Sequence, residues 1–257
     1  MSGVRRVLLV GPGQLGRVLA GGLVACGVSV EPVRRGQPID VRAEHDLVLV
    51  AVGERDLDVA LASIPDSHRT RIVLLQNELV PSAWQAHGIA APTVLVVWFE
   101  KKQGRPTQVV QTSEVAGPEA ALFVRAMEAM DVPARVIADE ALGSALAVKN
   151  AYIVGANVLG LSLGGTTGEL ASTHRERTVR VLREVLAIER ARLEAELELD
   201  EHEVLSRTLA AFEADPTHGT LGRTAKERLA RARERARSLA VEVPELDAIA
   251  ASIVLVG

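Results

Sequence analysis

The chain has 257 residues, 48% hydrophobic but only 2% aromatic, and carries 29 Lys and Arg against 33 Asp and Glu, a formal charge of −4. That length exceeds one modest core and fits two domains, and the acidic balance excludes a general attraction to nucleic acid or to an anionic membrane surface. Its single cysteine, Cys26, excludes an internal disulfide, so a reducing cytoplasm is the expected compartment.

Residues 7–16, VLLVGPGQLG, place a G-x-G-x-x-G turn directly after an apolar strand and before LGRVLAGGLVACG, which continues at helical spacing. This predicts a Rossmann βαβ unit. Gly11 permits the tight turn, Gly13 lets the backbone approach a pyrophosphate, and Gly16 lets helix and strand pack closely. The expected cofactor contacts are Gly11, Pro12, Gly13, Gln14, Leu15 and Gly16, with the pyrophosphate on the positive end of the helix. The alternative is an α/β turn that binds nothing. The first strand begins almost at once, leaving no room for a signal peptide, and no run of about eighteen apolar residues is expected to span a bilayer.

The next strand, Val28 to Val33, ends on Arg34, Arg35 and Gly36. A cation at that end suits a 2′-phosphate and an acid suits a free ribose, so NADP is favoured over NAD; the alternative is two solvated arginines. Glu31 lies three residues before the strand end and is expected to point along the sheet.

Residues 47–52 form another buried strand, followed by an amphipathic helix from Arg55 to Ser63 and a strand at 72–76. Only about a dozen residues separate Arg35 from Leu47, short for a full crossover, so the Rossmann sheet is expected to be trimmed there. Residues 93–100 and 107–112 read as strands joined around Lys101 to Pro106. A helix at 118–130 and a strand at 134–137 complete the α/β part. From Glu140 onward the pattern is helical, with breaks near Gly164/Gly165, Asp215 to Gly222 and Val243/Pro244. The expected fold class is therefore an α/β N-terminal Rossmann domain with a trimmed, mostly parallel sheet, residues 1–139, plus an all-α C-terminal domain, residues 140–257, for substrate binding and dimerisation. Domain interfaces are where substrate clefts tend to form. An aliphatic helical domain of this kind often buries surface in a homodimer.

The run Arg223 to Arg237 is rich in Arg and Lys. One basic helix in an acidic chain reads as a solvated face, with nucleic acid the alternative.

Lys149 stands out in ALGSALAVKNAYIVGANVLG, a segment otherwise mostly apolar or small. It either snorkels to solvent or points into a cleft. Asn157, eight residues on, falls within about 80° of it around a helix axis. In carbonyl reduction negative charge grows on the substrate oxygen, which a lysine stabilises and protonates. Asn77 follows the strand at 72–76, and ligands bind at the carboxyl ends of parallel strands; a strand-ending Asn bonded locally is the alternative. The histidines show no metal-ligand spacing, so no metal is expected, and no G-x-S-x-G elbow is present.

These residues resemble the ketopantoate reductase family, the NADPH-dependent 2-dehydropantoate 2-reductases. VLLVGPGQLG resembles the family's cofactor fingerprint, VRRG at 33–36 its V-x-R-G, and LLQNE its L-Q-N-G. Lys149, Asn157, Gly168/Glu169/Leu170 and REVLAIERA at 183–191 match in type and spacing. The resemblance implies an NADP-dependent oxidoreductase that reduces a 2-oxo acid, ketopantoate above all, a step of pantothenate biosynthesis. By the same resemblance Arg35 contacts the 2′-phosphate, Lys149 is the catalytic lysine, Asn77 lies near nicotinamide and substrate, Asn157 binds substrate, and Thr217 takes the place of a substrate-binding serine.

Departures from the family are equally specific. Ile153 stands where the family places a first asparagine, Gly53 where it places a phosphate-binding lysine (with Arg55 a substitute), and Glu78 where L-Q-N-G has glycine. The family's acid in the penultimate helix falls at Thr224 or Lys226, with Glu227 the nearest carboxylate. These differences leave open a reductase for another carbonyl compound, or a dinucleotide-binding module without catalysis.

Overall fold

The computed structural model describes residues 4–34, 36–42, 44–193 and 199–254. The chain divides into two compact units at Leu142/Gly143.

The first unit runs β1 (Arg6–Val10), α1 (Gln14–Ala25), β2 (Ser29–Val33), β3 (Leu47–Val50), α2 (Leu57–Ala62), β4 (Ile72–Leu74), α3 (Pro81–Gln85), β5 (Thr93–Val96), β6 (Phe99–Lys101), β7 (Thr107–Val109), β8 (Ser113–Ala116), α4 (Ala120–Glu128) and β9 (Ala134–Val136). Seven strands form one sheet in the order β2-β1-β3-β4-β5-β8-β9, parallel from β2 to β5, with β8 antiparallel to β5. This is a Rossmann-like, mostly parallel sheet. The central strands β1, β3, β4 and β5 are near-continuous Val/Ile/Leu runs because both their faces are covered.

The trimming expected after β2 is present: β2 is an edge strand, and β3 joins the opposite side of β1. Pro32 suits an edge strand, since it offers no N–H to a further strand. On one face, Leu19 and Leu23 of α1 pack in one core with Phe123 and Met127 of α4, each buried side chain contributing about 1.5–3 kcal/mol.

Residues 93–100 do not form the single strand expected. The chain leaves the main sheet after Val96, and β6 pairs with β7 in a separate hairpin. At the break, the Trp98 backbone N–H donates to Ser113 Oγ, and the Trp98 carbonyl accepts from Val110 N. The main sheet is continued instead by β8, a strand the sequence pattern does not announce.

The second unit is helical: α5 (Leu142–Leu163), α6 (Thr167–Ala171), α7 (Arg175–Arg192), α8 (Glu201–Ala214), α9 (Ala225–Ser238) and α10 (Pro244–Val254). Contrary to the expectation of no bilayer-length run, the stretch Asp139–Leu163 is long and apolar enough by composition to cross a membrane. Yet 72% of its apolar window is buried, because α5 is the core helix of this unit and is apolar on all sides. A Cβ at Gly155 would lie 2.5 Å from Leu182 Cδ2, so glycine there leaves room for α7.

Candidate functional site

In the first unit the three motif glycines do three different jobs. Gly11 has φ +85°, and a Cβ there would lie 2.8 Å from Val52 Cγ1, so both its conformation and its close approach to the end of β3 require glycine. At Gly16 a Cβ would meet the Gly11 carbonyl oxygen at 3.0 Å and Ala51 Cβ at 3.2 Å, which is the contact between helix and strand. A Cβ at Gly13 would meet nothing within 4 Å. It would project into open space.

That space is a cleft of about 740 Å³ lined in part by Gly11, Pro12, Gly13, Arg17, Arg34 and Asp56, a size suited to a small-molecule ligand. Helix α1 begins beside it with no side-chain cap and no acidic residue in its first turn. The backbone donors of Gln14 and Leu15 therefore belong to a first turn polarised for an anion. Gln14 is exposed, whereas the Leu15 side chain packs against the hydrophobic core. Arg34 is exposed, and its backbone N–H donates to Gln37 Oε1 at 2.8 Å, turning the chain at the end of β2. Arg35 lies outside the described residues. Glu31 faces away from this end: its carboxylate meets His45 Nε2 at 3.0 Å and Arg6 Nη2 at 3.6 Å.

Asn77 is half-buried in the turn that follows β4. The turn is held by a residue that motif reading passed over. Gln76 donates from Nε2 to the carbonyls of Val50 (2.6 Å) and Val52 (3.2 Å), while its Oε1 accepts from Leu75 N. This ties the ends of β3 and β4 together. Glu78, buried, has φ +57°, a conformation that favours the glycine of the related motif.

In the second unit Lys149 is half-buried on α5, its Nζ 5.5 Å from the centroid of the Tyr152 ring, which in turn lies 5.1 Å from the Phe212 ring. Next to it, buried Asn150 donates to Glu189 Oε2 at 2.8 Å, and Arg192 closes the cluster on Glu189 Oε1 at 2.6 Å. Asn157 is also buried. Its Nδ2 donates to the Thr220 carbonyl at 3.3 Å, and its Oδ1 accepts from Arg228 Nη1 at 2.9 Å. Arg228 also donates to Thr224 Oγ1 at 2.7 Å. A Cβ at Gly222 would lie 2.5 Å from Asn157 Oδ1, so glycine there makes room for the amide. Arg228 thus departs from the expected solvated face of the basic run: it is buried because α9 turns it toward α5, while Arg223 and Lys226 stay exposed.

Thr217 is exposed in the loop between α8 and α9, its hydroxyl 3.4 Å from Asp215 Oδ1. Ile153 and Glu227 are half-buried. Among the described residues no group of three or more His, Cys, Asp or Glu side chains is placed to hold a metal ion.

No protein-family model and no curated protein matches the chain. Solved structures do. A 2-dehydropantoate 2-reductase from Methylococcus capsulatus is 17% identical, with 98% of this chain and 96% of that one covered and a TM-score of 0.73. A dimeric ketopantoate reductase from Staphylococcus aureus is 16% identical over 96% and 97%, with a TM-score of 0.63. D-mandelate dehydrogenase bound to NADH and anilino(oxo)acetate is 14% identical over 95% and 96%, with a TM-score of 0.66. The resemblance read from the motifs thus holds at the level of architecture: this chain has the ketopantoate reductase fold.

Proposed function

We propose that the protein is an NADP-dependent oxidoreductase that reduces a 2-oxo acid, with ketopantoate the favoured substrate. The observation that carries this reading is the cleft at the glycine turn, where an uncapped helix start, an open face at Gly13 and the Arg34 guanidinium converge. Those features fit a dinucleotide: Gly11 to Gly16 hold the pyrophosphate, and Arg34 with Arg35 hold the 2′-phosphate. Bound NADPH supplies the hydride.

Lys149 is the proposed catalytic residue. As the carbonyl carbon is reduced, the C=O bonding pair moves to oxygen; the ammonium stabilises that charge and then transfers a proton from Nζ to the same oxygen, leaving an amine that solvent reprotonates. The adjacent Tyr152 ring favours the charged ammonium that this role needs. Asn77, Asn157 and Thr217 are the proposed substrate contacts. Two of these side chains already have internal partners, Asn157 on Thr220 and Arg228, and Thr217 on Asp215. The substrate must therefore use the second Nδ2 proton of Asn157 and the lone pairs of the Thr217 hydroxyl, or displace a bond of about 1 kcal/mol.

A second reading is favoured by Glu78 and Ile153: a reductase of the same fold acting on a carbonyl compound other than ketopantoate. A buried carboxylate beside Asn77 disfavours an anionic substrate wherever it faces one. The test is NADPH oxidation followed by absorbance across a panel of 2-oxo acids and uncharged ketones. Turnover fastest with ketopantoate supports the first reading, turnover confined to other carbonyls supports the second, and NADPH binding with no turnover identifies a non-catalytic dinucleotide module. A homodimer, proposed by analogy with the dimeric S. aureus enzyme, is checked by light scattering on the eluting protein.

A further inference from the structure

The cleft at the glycine turn holds a cation that no motif assigns. Arg17 sits in the first turn of α1, one residue beyond Gly16, and its Nε donates to the Pro12 carbonyl at 3.1 Å. That bond anchors the guanidinium to the glycine turn itself. Arg17 lines the cleft, as Arg34 does from the end of β2.

Among the described residues neither Arg17 nor Arg34 pairs with a carboxylate. Elsewhere in the same unit Arg5 meets Glu119, Arg6 meets Glu31, Arg42 meets Asp40 and Arg135 meets Glu114. Two guanidinium groups share one concave site with a single lining carboxylate, Asp56, which is paired with neither of them, and the positive charge left over is a cost unless an anion completes it. The wall at the end of β3 brings no cation of its own, because Gly53 lines the cleft there.

The two arginines sit at different parts of the cleft. Arg17 is tied to Pro12, within the turn that meets a pyrophosphate, whereas Arg34 follows the strand end that meets the adenosine ribose. We propose that Arg17 is a second phosphate ligand of the dinucleotide, holding the pyrophosphate, while Arg34 reads the 2′-phosphate. The inference rests on the dinucleotide reading above. It divides affinity from selectivity: Arg17 strengthens binding of any nicotinamide dinucleotide, and Arg34, together with the Arg35 proposed above, distinguishes the phosphorylated one. A guanidinium suits the task because its fork matches two phosphate oxygens at once.

The experiment is a titration of the full chain and its Arg17→Gln, Arg17→Lys and Arg34→Gln variants with NADPH and, separately, with NADH, following nicotinamide fluorescence, with the melting temperature of each variant checked. Arg17→Gln is expected to weaken both dinucleotides by the same factor, about tenfold to a hundredfold for the loss of a charge-assisted contact. Arg17→Lys is expected to fall between wild type and Arg17→Gln for both. Arg34→Gln is expected to weaken NADPH by about tenfold or more while changing NADH less than about twofold. Unchanged affinity in a folded Arg17→Gln overturns the proposal, and so does a loss confined to NADPH, which would place Arg17 on the 2′-phosphate. Wild-type protein that binds neither dinucleotide overturns the functional reading itself, a result distinct from failure of the Arg17 assignment.

Discussion

Arg228 on α9 and Asn157 on α5 are joined by a 2.9 Å hydrogen bond across 71 positions of sequence. Since a guanidinium can only donate, this contact fixes which end of the Asn157 amide is oxygen and turns Nδ2 toward the Thr220 carbonyl. A proposed substrate contact is thereby oriented by a residue on another helix. Replacing Arg228 by Leu leaves the buried Asn157 Oδ1 and Thr224 Oγ1 without their donor, and is expected to lower stability by about 1–3 kcal/mol. Arg223→Ala, on the exposed side, is expected to stay within about 0.5 kcal/mol of wild type. Urea denaturation of the two variants checks the contrast, and equal midpoints would show that α9 does not depend on the buried guanidinium.

Lys149→Ala is expected to reduce turnover of the best carbonyl substrate by about a hundredfold or more while leaving NADPH affinity nearly unchanged, because the proposed role is played only in the transition state. Steady-state kinetics and a direct NADPH titration measure the two quantities separately. Turnover equal to wild type eliminates the lysine as the acid.

Gly22 of α1 marks how closely α1 and α4 approach. A Cβ there would lie 1.8 Å from the Ala126 carbonyl oxygen, which belongs to helix backbone and cannot rotate aside. Gly22→Ala must push the helices apart, and the expected cost is about 1–3 kcal/mol of overpacking, despite the better helix propensity of alanine. Chemical denaturation provides the measurement; a more stable variant would mean that the two helices separate without strain.

The parallel strands and the glycine turn were legible because burial on both faces writes an unbroken apolar run, and because only glycine satisfies the geometry at Gly11. β8 was hidden for the opposite reason. Its sequence SEVA includes Ser113 and Glu114, yet all four residues are buried: Ser113 Oγ accepts from Trp98 N, and Glu114 pairs with Arg135. Polar side chains whose partners come from distant parts of the chain carry no local sign of being buried. Arg228 was hidden in the same way, as one cation among many in a basic run. Lys149 stood out because its whole helix is apolar, and Arg17 did not, because an arginine at a helix start usually faces water.

The start of α10 is held by charge, and its pH dependence follows. Glu184 accepts from the backbone N–H groups of Glu245 (2.7 Å) and Leu246 (3.0 Å), and burial pushes its carboxyl above the usual range despite these bonds. Glu245 is held below that range, chiefly by its hydrogen bond to Arg180. The signs are opposite. A depressed carboxyl stabilises the fold above its unfolded pKa and loses that contribution as pH falls through the folded value, whereas a raised one costs stability as pH climbs through the interval above its unfolded value. Glu245→Gln removes the first effect and relieves only a minor part of the second, since the Glu245 charge adds less than burial does to the rise at Glu184; its thermal midpoint is therefore expected to lie below wild type near pH 7 and to converge with it as pH falls through the depressed Glu245 value. Both groups lie near solvent, so the gap is expected to shrink as salt is added. Melting curves from pH 3 to pH 8 at two ionic strengths give the comparison, and a gap that persists at low pH would assign the loss to packing instead of charge.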